Sequence, residues 1–299
     1  MKTRQIIKFW AYSLSIILLC YLPVHAQEVK NPLPEMPNSR SRSVRTRRPP
    51  PLRESQILRE LGRADVVYLG ENHDSFEDHQ AQLEIIQQLT QKNGKVAIAL
   101  EMFQRPFQKA IDDYLAGKIT ETQLVAQTEY QERWGFPWKY YAPILRFAKE
   151  NNLPVLAINT PTEVTWKVAC SGLEVLTPED RQYIPPLTEI RTDNAAYRQM
   201  LLDVFQQHQA GGHGNSDRFE RFFLAQVLWD ETMAEAISQF IAANPDYQVV
   251  VLAGQGHIVC GHGIPTRVAR RLNYRPLVQR SVLLRDEDLI TYQSSPGCG

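Results

Sequence analysis

The run Val66-Val67-Tyr68-Leu69-Gly70-Glu71-Asn72-His73 decides how the rest of the chain is read. Four apolar residues end in a glycine turn that carries a carboxylate and an imidazole. Far downstream, Val249-Val250-Val251-Leu252-Ala253 enters Gly254-Gln255-Gly256-His257 in the same way. Short apolar, β-branched runs stopped by glycine read as strands of a parallel sheet covered on both faces. Turns at the carboxyl ends of such strands are where open α/β sheets bind ligands. Two histidines about 180 residues apart are therefore expected in one crevice.

Two more apolar runs, 96–100 and 154–158, complete a set of four expected strands. Between the first two, Leu83, Ile86 and Leu89 recur at helical spacing, and Asn93-Gly94 supplies a stop. Strand, helix and strand in this order imply a right-handed crossover and a parallel pairing. Ser55 can cap a short helix bearing Ile57, Leu58 and Leu61, and Ile144, Leu145 and Ala148 mark another over 138–150. The stretches 104–135 and 160–243 lack strand patterns and read as helical insertions over the carboxyl edge of the sheet. Within the second, Phe222, Phe223, Val227, Met233, Ile237 and Phe240 line one face of a long helix. The expected fold is α/β, a mostly parallel sheet with flanking helices and a smaller inserted all-helical subdomain, spanning 54–285 with a tail over 286–299.

The ends of the 299-residue chain and its composition bound the setting. Apolar content of 43% and charged content of 22% are those of an ordinary globular protein. A net charge of zero argues against the basic surface that a nucleic-acid partner requires. Lys2, Arg4 and Lys8 precede an apolar core from Phe9 to Leu22, and Val24-His25-Ala26 offers small residues for cleavage. Residues 1–26 read as an export signal, which places the protein in the periplasm or cell envelope. Leu19 before Cys20 does not make a lipobox, so no lipid anchor is expected. Residues 27–53, rich in proline and arginine, read as a solvated linker. Cys170, Cys260 and Cys298 remain after the signal; export allows one disulfide, and the spacing does not choose the pair.

Each expected strand end delivers polar groups: Glu71 and His73, then Glu101, then Asn159, then Gln255 and His257. Two histidines with one or two carboxylates suit a divalent metal such as zinc or manganese, ligated by His73, His257 and Glu101. Without metal, Glu71, His73, Glu101 and His257 supply a general base and its orienting partner for hydrolysis. His208 and His213, in or beside a glycine-rich loop, read as solvated histidines. A second constellation is aromatic, Trp134-Gly135-Phe136-Pro137-Trp138-Lys139-Tyr140-Tyr141. These rings could line a planar apolar ligand or simply pack a core, and a tyrosinate can ligate haem iron.

Together these elements resemble the ChaN-like haem-binding uptake family, within the wider group of ChaN, Tiki and erythromycin-esterase proteins. The matching residues are Tyr68 to His73, Leu100-Glu101-Met102-Phe103, and Trp138 with Tyr141-Ala142-Pro143-Ile144. Further matches are Ala225-Gln226, Trp229 to Ala234, Gly254 to His257, and Gly263-Ile264-Pro265-Thr266-Arg267. The resemblance implies haem bound at a dimer interface, with a tyrosine of one subunit on iron and a histidine and lysine of the other on the propionates. Carried over, Tyr141 is the expected iron ligand with Tyr140 in reserve, and Lys139 and His262 are the expected propionate contacts. It also implies a haem-linked homodimer and an outer-membrane haem receptor or transport component as partners. The hydrolase reading, through Glu71, His73, Glu101 and His257, is the competing one.

Overall fold

The computed structural model describes residues 54–208, 216–284 and 291–293. The expected signal segment, the linker, His213 and Cys298 lie outside these residues. In chain order the elements begin with α1 (Glu54–Leu61), β1 (Val66–Glu71), α2 (Phe76–Lys92) and β2 (Val96–Gln104). Helices α3 (Gln108–Leu115), α4 (Glu121–Gln127), α5 (Tyr130–Arg133) and α6 (Trp138–Glu150) lead to β3 (Val155–Asn159). After α7 (Thr162–Ser171), α8 (Pro178–Arg181), α9 (Ala195–His208) and α10 (Ser216–Ala243) comes β4 (Gln248–Gly254). The chain then forms α11 (Ile264–Arg271), β5 (Gln279–Leu283) and β6 (Thr291–Gln293).

The strands form one sheet in the order β3-β2-β4-β1-β5-β6. The first five are parallel, as the α/β reading requires, and β6 pairs antiparallel on the edge. Alternate residues of each strand enter opposite cores. Val67, Leu69, Ile98, Leu100, Val250 and Leu252 face α1 to α6. Val66, Tyr68, Ala97, Ala99, Val249 and Val251 face the second half of α10 and α11. Burial on both faces is why these strands read as unbroken apolar runs rather than alternating ones.

The two helical insertions behave differently. Residues from 104–135, including Ile111, Tyr114, Leu124 and Tyr130, join the main core beneath the sheet. The second insertion closes on itself: Val168, Tyr197, Leu201, Phe205, Phe219, Phe222 and Phe223 form a separate cluster. Only the second is thus a subdomain with its own core. Two elements lie outside the expected set of strands: β5, and β6 within the stretch expected as a tail. Gln279 and Arg280 at the start of β5 are half-buried, so that strand lacks a continuous apolar run.

Candidate active site at the carboxyl edge of the sheet

β1 and β4 are neighbours in register, with Glu71 opposite Gly254, so the two glycine turns leave the sheet side by side. β2 flanks β4 on its other side, Leu100 opposite Leu252, and carries Glu101 to the same edge. Glu101 Oε2 accepts a hydrogen bond from the Gly254 amide at 2.7 Å. The His73 ring closes over Gly254, where an added Cβ would lie 2.8 Å from Nε2. Glycine is needed here because another side chain would occupy the imidazole's place.

The first turn is held by the start of α2. Ser75 caps the helix by accepting from the Asp78 amide at 3.2 Å and donates its own hydroxyl to Asp78 Oδ1 at 2.9 Å. Asp78 Oδ2 accepts from the Asn72 amide at 2.7 Å. Such a cap contributes about 1 kcal/mol to the helix. Here it also sets the path of the loop that carries His73.

Glu71 is the centre of a buried group. Its Oε1 accepts from the Tyr141 hydroxyl at 2.5 Å and lies 2.8 Å from His73 Nδ1. Its Oε2 accepts from Gln82 Nε2 at 2.7 Å and lies 3.7 Å from His79 Nδ1. A second group repeats the order of functions. Tyr197 donates to Asp230 Oδ2 at 2.5 Å, and Asp230 Oδ1 lies 2.8 Å from His257 Nδ1. His257 Nε2 in turn faces Glu101 Oε1 at 3.4 Å. Two tyrosine–carboxylate–histidine chains therefore converge from opposite faces of the sheet on Glu101 and Gly254.

Electrostatics makes both histidines good proton holders. Burial alone would lower the His257 pKa, but the charges of Glu101 and Asp230 and their hydrogen bonds push it up to about 10. Burial also opposes charge on His73, and the Glu71 hydrogen bond with the charges of Glu101 and Glu71 raises it nonetheless. Burial would likewise keep Glu71 neutral; the His73 hydrogen bond, His79, and the Tyr141 hydroxyl bring it down to about 2. Glu101, buried between the two imidazoles, is held low by His257, His73 and the Gly254 amide. Burial and the Glu71 charge keep the Tyr141 hydroxyl protonated.

Above these groups lies a cavity of about 240 Å³ whose lining includes His73 and Glu101, with Met102, Trp134, Phe136 and Trp229 as walls. Trp134 meets the His73 ring edge-on at 4.8 Å and Phe136 lies 5.0 Å from it. Arg133 and Gln104 also line it, joined by a 2.9 Å hydrogen bond. The expected convergence of Glu71, His73, Glu101 and His257 on one edge is thus what the structure contains. Both Nδ1 atoms of His73 and His257 are engaged by carboxylates, an arrangement that metal-ligating histidines also show, and among the described residues no group of three or more His, Cys, Asp or Glu is arranged to hold a metal ion.

The aromatic segment is divided between core and surface. Tyr141 is wholly buried, with its hydroxyl on Glu71, so it does not present a phenol to an external ligand. Tyr140 is half-buried and stacks on His79 at 5.1 Å, with exposed Phe76 6.1 Å away and the Lys139 ammonium 5.6 Å over its ring. His262 sits on the opposite side of the sheet, 6.3 Å from the Tyr197 ring. It therefore cannot join Tyr140 and Lys139 of the same subunit. Asp230, Tyr197, His79 and Gln82 were not among the expected site residues. The signal for Asp230 was available: Asp230-Glu231-Thr232 is a polar run on a helix whose other buried positions are mostly apolar, and all three are fully buried.

The fold has counterparts among known proteins. ChaN of Campylobacter jejuni, in a structure of cofacial haem binding, superposes with a TM-score of 0.60 at 19% identity, covering 81% of this chain and 92% of that one. An erythromycin esterase, a point mutant of EreC in its open conformation, gives a TM-score of 0.43 at 16% identity over 77% of this chain and 71% of that one. Protein RETICULATA-RELATED 5, chloroplastic, of Arabidopsis thaliana is 26% identical over 249 residues, 79% of this chain. The chain spans about a third of that relative's length. Residues 57–268 match the family described as haem-binding uptake, Tiki superfamily, ChaN. The chain belongs to the ChaN haem-binding uptake family of the Tiki superfamily.

Proposed function

We propose that this is an exported haem-binding protein that handles haem for uptake, holding it at the face where α2 and α6 begin. The observation that carries the site is the half-exposed Tyr140 phenol, set between exposed Phe76 and exposed Lys139. An aromatic surface made by Tyr140 stacked on His79, with Phe76 tilted 46° beside it, one phenol and one cation, suits a planar porphyrin with carboxylate arms. The crevice above His73 is the poorer candidate, because about 240 Å³ falls short of the roughly 300–1,000 Å³ of pockets for drug-sized ligands. When bound, haem would supply a ferric iron that a phenolate can ligate. Tyr140 would hold the iron, Lys139 would neutralise a propionate, and Phe76 would cover the ring.

Cofacial haem binding in the Campylobacter jejuni ChaN structure supports haem shared between two copies, with His262 reaching only a haem held by the partner. The disulfide-bonded state of Cys170 and Cys260 supports export to an oxidising compartment. An outer-membrane haem receptor or transport component is the partner that this reading requires. Haem titration of the mature protein, followed by absorption and sedimentation, tests it. Tyr140→Phe is expected to abolish a tyrosinate-type high-spin spectrum, while Tyr141→Phe retains it. A wild-type protein that binds no haem, or an unchanged spectrum in Tyr140→Phe, overturns the assignment.

A second reading, a hydrolase acting in the crevice, is favoured by His73 and Glu101 on the cavity wall, each backed by a further buried group, Glu71 behind His73 and His257 behind Glu101. His257, protonated to about pH 10, is a fixed positive group that offsets the Glu101 charge behind the cavity wall. His73, oriented by Glu71 and with its pKa raised, would activate water as a base in its deprotonated form, so turnover should rise toward alkaline pH. Turnover of an ester or amide panel, lost in both His73→Ala and His257→Ala, would support this reading. No turnover by the wild-type protein across the panel sinks it.

A further inference from the structure

The helix α11 places Arg267, Arg270 and Arg271 on one face, at i, i+3 and i+4. All three turn toward a single carboxylate, Glu231 of α10, which is fully buried. Arg267 Nε lies 3.3 Å from Oε1, Arg270 donates to both oxygens at 2.9 and 2.6 Å, and Arg271 donates to Oε2 at 2.8 Å. The Arg191 amide adds a hydrogen bond to Oε1 at 3.2 Å. Glu189 also pairs with Arg271. Glu231, Glu189 and, 3.9 Å from Arg267, Asp230 answer the three guanidiniums, which leaves the exposed guanidinium of Arg191 as the surplus positive charge.

That surplus faces a cavity. A space of about 480 Å³ is lined by Arg191, Asp193, Asn194, Thr266, Arg267 and Arg270. This volume is in the range of small-ligand sites. Arg191 is exposed, and among the described residues no carboxylate pairs with its guanidinium, although its amide is fixed on Glu231. Thr266, half-buried at the start of α11, adds a hydroxyl to the wall. Arg267 is 2% exposed, so the cavity has a buried cation in its wall. Guanidiniums in a partly enclosed site bind oxyanions through paired, charge-assisted hydrogen bonds.

We propose that this cavity is a second ligand site, for a small anion bearing a phosphate or carboxylate group. Arg191, Thr266 and the open edge of Arg270 supply the donors, and Arg267 supplies the charge behind them. Asp193, on the lining, suits a hydroxyl of the same ligand. The site is separate from the haem face at Tyr140, which lies across the sheet.

Its position also links it to the crevice. Arg267 Nη1 lies 3.9 Å from Asp230 Oδ2, and its guanidinium sits 5.1 Å over the Tyr197 ring. The same nitrogen donates to the carbonyls of His262 at 2.6 Å and Gly263 at 2.8 Å. Arg267 is therefore the common wall of the anion cavity and the Asp230–His257 group. An anion drawn against Arg267 offsets the positive charge behind Asp230, so the His257 environment changes when the cavity fills.

The test is titration of the full chain with inorganic phosphate against chloride at constant ionic strength, read by calorimetry and by the His257 imidazole signals in NMR. Saturable binding in the millimolar range or tighter is expected. Arg191→Gln is expected to weaken it about tenfold, with Thr266→Ala weakening it less, because a charged donor is worth more than a neutral one. Both lie at the surface, and an unchanged melting temperature would show that the fold is intact. A parallel titration with succinate distinguishes the sources: tighter phosphate binding assigns a phosphoryl ligand, and tighter succinate binding a carboxylate. Neither anion saturating the wild-type protein, or equal affinity in Arg191→Gln, overturns the site. Binding without movement of the His257 signals overturns the link to the crevice.

Discussion

The two tyrosine–carboxylate–histidine chains have the same order of groups and very different surroundings. Tyr141, Glu71 and His73 are assembled from β1, its turn and α6, and their support is the main core beneath the sheet. Tyr197, Asp230 and His257 combine the inserted helical subdomain, α10 and the turn after β4. The His73 side chain retains 16% exposure, whereas that of His257 retains 7% and meets two carboxylates instead of one at close range. The comparison shows how one arrangement serves two ends. A histidine near solvent with one carboxylate can exchange its proton with a ligand. A histidine locked between two carboxylates holds its proton and acts as a fixed charge.

The largest effect should come from removing a carboxylate. Asp230→Ala strands His257, Tyr197 and the nearby Arg267, and loss of one partner of a buried ion pair costs about 3–5 kcal/mol. Glu71→Ala should cost a similar amount, and chemical denaturation measures both. If Asp230→Ala were near neutral, the second chain would not be a support for the fold. The glycines should separate the chains more sharply. A Cβ at Gly263 would lie 2.2 Å from the His257 carbonyl oxygen and 2.9 Å from Asp230 Oδ1. Backbone cannot move aside cheaply, so Gly263→Ala is expected to cost about 1–3 kcal/mol or more. A Cβ at Gly254 meets the His73 ring, a side chain with a partly open edge. Gly254→Ala should therefore cost less stability while displacing His73, seen as a changed imidazole signal in NMR. Equal destabilisation by the two substitutions would break the contrast.

A last contrast is a pH dependence whose two limbs belong to different chains. Glu71 falls from an ordinary 4.5 to about 2 on folding, so its stabilisation is present above 4.5 and is lost as pH drops toward 2. His257 rises from 6.5 to about 10, so its stabilisation is complete below 6.5 and is lost as pH climbs through 10. Glu71→Gln should flatten the acid limb of a stability–pH curve, and His257→Gln the alkaline limb. An acid limb that persists in Glu71→Gln would move its origin to another carboxylate.

Much of the sheet was legible because its strands are buried on both faces. Unbroken runs such as Val249 to Ala253 admit few other readings in a chain with helical spacers between them. β5 was not legible for the opposite reason: it begins with polar, half-buried residues, and only its pairing with β1 makes it a strand. The convergence of Glu71, His73, Glu101 and His257 was also readable, since glycine turns after parallel strands must share an edge. The partners behind them were not. Asp230 and Tyr197 reach the site through helix packing, which local pattern does not encode.

The sequence by itself determined the α/β class, the four strands β1 to β4 and the identity of the groups at their ends. Period and composition act locally, and each strand states its burial in its own residues. Only the tertiary structure decided which of two adjacent tyrosines faces outward. Neighbouring residues of a helix point about 100° apart, and the packing of α6 on α2 turns Tyr141 onto Glu71 and leaves Tyr140 at the surface. The same packing decided that one helical insertion joins the main core while the other builds its own. Both outcomes depend on contacts between residues far apart in the chain, and such contacts exist only once the sheet has formed.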